Sequence, residues 1–159
     1  MIRSIAAIDS RLGLATDKGI PWHVPADVEH FRSAIASSAV LMGYCTYREF
    51  VSPLPDSTNY VATRRGSELR DGFVAVDDVR SLLTDELAGD LWVIGGAVLY
   101  ASTLPLVHEL ALTRVDGDFD CTKFFPQFEG MFELVTDEAV PPTEGVPGVR
   151  FQTWQRASG

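Results

Sequence analysis

The chain has 159 residues, 46% of them hydrophobic and 22% charged, with a formal charge of −9. That length fits one domain, residues 1–159, large enough to bury a core without disulfides or metals. The acid surplus repels phosphate backbones and excludes nucleic acid as an expected partner, and no stretch approaches the ~20 apolar residues of a membrane span.

The N-terminus, MIRSIAAIDS, carries no apolar segment of signal-peptide length. Residues 2–8 form a short, apolar run, the pattern of a buried strand. Residues 9–22 are polar and glycine-bearing, a long connection of the kind that is more often functional than inert. A helix is predicted next: Pro25 suits its first turn, Asp27 its positive end, and Val28, Phe31 and Ile35 recur at helical spacing. Residues 39–43 read as a second buried strand. Thr46-x-x-Glu49 has the form of a capping box opening a short helix to about Phe50. Further strands are predicted over residues 59–63 and 73–76, then a helix capped by Asp77 or Asp78 and running through Leu83. Residues 91–94 form a fifth strand ended by Gly95 and Gly96, followed by a helix from about Ala97 to Leu104 and a strand over 110–115. Two closing strands, 132–136 and 149–154, flank the Pro- and Gly-rich PPTEGVPG turn. Strands alternating with short helices predict an α/β fold with a mainly parallel sheet, and the two late strands predict an antiparallel C-terminal edge strand.

Cys45 and Cys121 form no disulfide framework and lie in no metal-spaced set, so both read as reduced, core-like thiols, and no metal is expected. A cytoplasmic location fits both thiols. Lysine occurs only at Lys18 and Lys123, with arginine supplying the other cations. Genomic base composition explains this, or a salt-adapted acidic surface does; stability in molar KCl separates the two.

Asp27 and Phe31 stand one helical turn apart, on one face. A carboxylate beside an aromatic ring can read a planar, nitrogen-rich heterocycle, although an acid in a first helical turn is also common on any helix. Gly95 and Gly96 at a strand-to-helix junction let backbone approach a diphosphate, or make only a tight turn. Gly43-Tyr44-Cys45-Thr46 repeats that logic, with Thr46 alternatively serving only as a cap. Thr63-Arg64-Arg65 places two guanidinium forks at a third strand end, for a phosphomonoester or as a solvated pair. Together these strand ends fit a dinucleotide laid across one sheet edge. His23, His30 and His108 lie beside no nucleophile, and His30 reads as an exposed helical histidine.

The ordered set Ile5-Ala6-Ala7, Gly19-Ile20-Pro21-Trp22, Pro25-x-Asp27-x-x-x-Phe31, Met42-Gly43-x-x-Thr46, Pro53-Leu54-Pro55, Asn59, Val93-Ile94-Gly95-Gly96, Tyr100, Leu112-Thr113 and Phe125-Pro126 closely resembles the dihydrofolate reductase family. The resemblance implies a mainly parallel eight-stranded sheet flanked by about four helices. It implies a monomer that uses NADPH to reduce dihydrofolate and binds antifolate inhibitors. Asp27 would bind the pterin, with Thr113 assisting through water and Trp22 in the lid. Ile5, Ala7, Ile20, Val28, Phe31, Phe50, Leu54, Ile94 and Tyr100 would line the substrate pocket, with Arg32 near its tail. Ala7, Leu14, Gly43, Tyr44, Cys45, Thr46, Thr63, Arg64, Arg65, Ile94, Gly95, Gly96, Ala97, Val98, Leu99 and Tyr100 would hold the cofactor. Gly95-Gly96 resembles the family's cis peptide, and the loop around residues 9–24 its lid.

Four positions depart from the family pattern. Ser57 and Tyr44 stand where arginines are usual, Ala97 where a third glycine is usual, and Thr122-Lys123 where Asp-Thr is usual. Ser57 cannot replace a bidentate arginine on the α-carboxylate of a folate tail. Either Arg32 takes that tail, or the substrate is a tail-less pterin or pyrimidine, as in related riboflavin-pathway reductases. A protein that binds the dinucleotide without turnover is the third alternative.

Overall fold

The computed structural model describes residues 1–64, 68–87 and 89–158. Eight strands form one sheet in the order β5-β4-β3-β6-β1-β7-β10-β9. These are β1 (Ile2–Ile8), β3 (Ala39–Gly43), β4 (Asn59–Ala62), β5 (Phe73–Val76), β6 (Leu91–Val93), β7 (Glu109–Val115), β9 (Phe132–Val140) and β10 (Val149–Arg156). The first six in spatial order pair in parallel. The C-terminal strand β10 runs antiparallel to both neighbours, one place in from the edge formed by β9. β9 is longer than its apolar residues indicate, because it pairs with β10 along its length while staying largely exposed. Two short strands, β2 (Gly13–Ala15) and β8 (Lys123–Phe124), make a separate pair inside segments that read as loops.

Helices cover both faces of the sheet's centre, which is why β1 reads as apolar from Ile5 to Ile8. Alternate residues of β1 serve different cores. Ile2, Ala6 and Ile8 meet Leu99, Tyr100 and Leu104 of the segment containing α4 (Ala97–Thr103), together with Phe125 and Phe128. Ile5 faces Ile35 of α1 (Pro25–Ile35) and Tyr47 of α2 (Tyr44–Tyr47). The remaining helix, α3 (Val79–Ser81), runs into one π-helical turn over Leu82–Glu86. Asp78 caps it by accepting from the Ser81 amide at 3.0 Å, as its position predicts.

The capping-box reading at Thr46 is corrected. Gly43 is the N-cap of α2, Thr46 lies inside the helix, and the helix ends at Tyr47. Cys45 is exposed rather than core-like, whereas Cys121 is partly buried. No helix among the described residues is long and apolar enough to cross a membrane.

Candidate active site

In a parallel sheet the strands' C-terminal ends share one edge, and that edge collects most of the residues picked out above. Ala7 on β1 pairs with Thr113 on β7, and Thr113 in turn pairs with Phe151 on β10. Helix α1 lies over this row. Pro25 occupies its start and Asp27 its first turn, with the Val24 carbonyl accepting from the Asp27 and Val28 amides at 3.0 and 3.2 Å.

The Thr113 hydroxyl donates to Asp27 Oδ1 at 2.7 Å. This direct bond to the carboxylate was not read from the sequence. Burial pushes the Asp27 carboxyl above the ordinary carboxylate range, while the Thr113 hydrogen bond and the His30 charge pull the other way. His30 is not an exposed helical histidine: it is half-buried and stacked on Phe151, with ring centroids 4.4 Å apart and an interplanar angle of 27°.

The apolar wall assembles as expected at five positions. Ile5 and Ile94 are buried in one cluster, against which Phe31, Phe50 and Leu54 pack partly buried. Phe50 is held in place by Arg70, whose guanidinium donates to the Tyr47 and Phe50 carbonyls and lies 4.1 Å over the Tyr47 ring. Leu54 is braced by Asn59, which accepts from the Leu54 amide and donates to the Leu54 and Ser57 carbonyls. Ala7 and Trp22 join a different cluster with Val24 and Phe119. Tyr100 is buried, and its hydroxyl donates to the Ile5 carbonyl at 2.6 Å. Burial and the Asp27 charge both push that phenol's pKa up. Ile20 is 66% exposed and Val28 42%, so neither is enclosed in this conformation. Arg32 is exposed, and the Ser57 hydroxyl donates to the Pro55 carbonyl at 3.2 Å.

At the neighbouring strand ends the backbone is open to a ligand. The Gly95-Gly96 peptide is cis, and the Gly43 amide donates to the Gly95 carbonyl at 2.7 Å. A side-chain carbon at Gly43 would stand 3.6 Å from Gly95 O and Gly96 N, filling the space between the strand ends. One at Gly96 would stand 3.7 Å from Thr46 Oγ1. Three features suit a diphosphate: bare backbone, a threonine hydroxyl and the start of α4. Tyr44, Thr63, Arg64 and Glu68 line an open hollow of about 510 Å³ beside them. Arg65 lies outside the described residues. Cys45, Val98 and Tyr44 are exposed, Ala97 is half-buried and Leu99 is buried. Leu14, on β2, packs partly buried against the larger core, which also contains Leu99 and Tyr100.

Three neighbours escaped the sequence reading: Phe151 under His30, Phe119 against Trp22, and Glu68 beside Arg64. Phe151 and Phe119 come from distant segments, Glu68 lies four residues past Arg64, and none carries a local pattern that marks it.

Residues 1–156 match the protein family described as dihydrofolate reductase. The chain is 31% identical over 141 residues to the dihydrofolate reductase of Bacillus subtilis (strain 168), covering 87% of this chain and 83% of that one. It is 34% identical over 131 residues to the dihydrofolate reductase type 3 of Salmonella typhimurium, covering 80% of each. A solved dihydrofolate reductase from Enterococcus faecalis, complexed with NADP(H) and RAB-propyl, has the same fold. The two superpose with a TM-score of 0.89 at 23% identity, covering 99% of this chain and 97% of that one.

Proposed function

The chain belongs to the dihydrofolate reductase family, and from that premise we propose that it reduces 7,8-dihydrofolate to 5,6,7,8-tetrahydrofolate with NADPH. The observation that carries this reading is the half-buried Asp27 carboxylate, hydrogen-bonded by Thr113 beside an apolar wall.

NADPH, when bound, would supply a hydride for pterin C6, and a proton must reach N5 to complete the reduction. The remaining work falls to the chain's own residues. Asp27, ionised, accepts from the pterin N3 and 2-amino groups and favours the electron distribution that makes N5 basic. Thr113 holds the carboxylate in register. Ile5, Phe31, Phe50, Leu54 and Ile94 wall the ring, while Tyr100 fixes the backbone behind it. Trp22 and Ile20 belong to the segment that closes over the rings and excludes bulk water, so that both are held at reacting distance. Thr46, Thr63 and the backbone at Gly95 and Gly96 hold the dinucleotide, and Arg64 with Arg65 takes its 2′-phosphate. The protein acts as a cytoplasmic monomer in this reading.

Loss of NADPH absorbance on adding dihydrofolate tests the assignment. NADPH binding with no oxidation on any pterin would leave a non-catalytic homologue.

A second reading is favoured by Ser57, whose hydroxyl is engaged by Pro55 and carries no charge for a folate tail. Here the substrate is a tail-less pterin or pyrimidine. Comparing kcat/KM for dihydrofolate and for a tail-less dihydropterin decides between them. A marked preference for dihydrofolate that is lost in Arg32→Ala assigns the tail to Arg32, and equal efficiency on both undercuts the folate assignment.

A further inference from the structure

Asp9 is the first residue of the 9–22 segment, is 1% exposed, and has no part in the chemistry described above. Its carboxylate is the meeting point of two loops. Oδ1 accepts from the Arg11 amide at 2.9 Å and the Gly13 amide at 2.7 Å. Oδ2 accepts from the Phe119 amide at 3.1 Å, and the Cys121 side chain lies against the same junction. The space is tight. A side-chain carbon at Gly13 would fall 2.5 Å from Cys121 Cβ and 2.8 Å from Asp9 Oδ1. From this junction the contact continues outward, since the Phe119 ring stands edge-on to Trp22, 5.2 Å between centroids at 66°.

We propose that Asp9 is a positioning residue: its buried carboxylate ties residues 9–13 to residues 117–121 and, through Phe119, sets the position of the Trp22 indole. The inference rests on the functional reading only in giving Trp22 a place in the closing segment.

The chemistry of the carboxylate makes the role specific. An ionised aspartate offers only acceptors, enough for all three amides. An asparagine has one acceptor oxygen and an NH2 group. In either orientation it sets N–H against N–H on one loop and keeps its bonds to the other. Asp9→Asn therefore uncouples the two loops while keeping shape and volume.

The test labels the three tryptophans with 5-fluorotryptophan and follows their fluorine NMR signals in the full chain without substrate. Trp22 is identified by its loss in Trp22→Phe. Asp9→Asn is expected to shift or broaden the Trp22 signal and to leave Trp92 and Trp154 in place. Single-turnover hydride transfer should fall by about tenfold through misplacement of the closing segment, with the KM for NADPH within about twofold. In a Phe119→Leu background, Asp9→Asn should add no further change at Trp22, because the link is already cut. Should Asp9→Asn fail to fold, Gly13→Ala wedges the same junction with the carboxylate intact and must move the same signal. A folded Asp9→Asn or Gly13→Ala protein whose Trp22 signal matches the parent overturns the proposal. Absence of dihydrofolate reduction in the parent would sink the functional reading and leave the fluorine result standing.

Discussion

The Thr113 hydroxyl reaches Asp27 Oδ1 across 2.7 Å, joining a strand end to a helix start 86 residues away. Three residues further along α1, His30 stacks on Phe151, which is the register partner of Thr113. The adjacent strands β7 and β10 thus grip one face of the helix at two successive points. This double contact sets the depth at which the carboxylate stands beside the apolar wall of Ile5, Phe31 and Ile94.

Asp27→Asn is expected to lower turnover at pH 7 by about a hundredfold or more, the scale of a lost acid–base contribution. The deficit should shrink in acid, where substrate arrives already protonated. Steady-state rates from neutral to acidic pH check this, and an undiminished rate at neutral pH would remove Asp27 from its role.

The same substitution should stabilise the ligand-free protein at neutral pH. Burial raises the folded-state pKa of Asp27 above its unfolded value. The folded chain therefore holds that proton more tightly, and the cost of the buried charge is absent below about pH 4 and complete above the folded pKa. Asparagine keeps an acceptor for Thr113 and carries no charge. Urea unfolding should show Asp27→Asn more stable than the parent at neutral pH and equal to it in acid; a less stable variant at neutral pH contradicts the account.

Thr113→Val removes the donor and keeps the shape. A lost hydrogen bond to a partly buried carboxylate should cost about 1 kcal/mol in stability. The bond favours the ionised form, so its loss should move the acid limb of the pH–rate profile upward, with a smaller fall at neutral pH than Asp27→Asn produces. An unmoved acid limb would show that the bond does not act on the carboxylate's charge.

Asp9 has the opposite linkage. Its burial favours the proton, but the Phe119, Arg11 and Gly13 amides outweigh it and hold the pKa below the ordinary value. The resulting stabilisation is complete above the unfolded pKa of about 4 and is lost as pH falls through the folded one. Asp9→Asn should cost about 2 kcal/mol at neutral pH, the scale of a hydrogen bond to a charged group, and less as the solution is acidified. A cost independent of pH would mean that the charge contributes nothing.

Much of this was legible in order of residues. Buried parallel strands read directly because both faces are apolar, and β1 and β3 have the predicted bounds; the apolar run of the half-exposed edge strand β5 gives its bounds as well. The Asp27–Phe31 spacing and the glycine pair at residues 95 and 96 pointed to the right edge of the sheet. Short pairings such as β2 with β8 did not read, since two or three residues carry no periodicity. Thr46 misled because a capping box is a local pattern, whereas the N-cap of α2 is Gly43, three residues earlier, at the strand end.

The sequence by itself determined the alternation of strands and helices, which depends on residues close together in the chain, and the family likeness, which depends on short motifs kept in order from Ile5 to Pro126. Only the tertiary structure decided that Thr113 bonds Asp27 directly, that His30 lies on Phe151, and that Asp9 gathers two loops. Those contacts join segments brought together by sheet register and helix packing, and local sequence carries no record of which distant donor a carboxylate will meet.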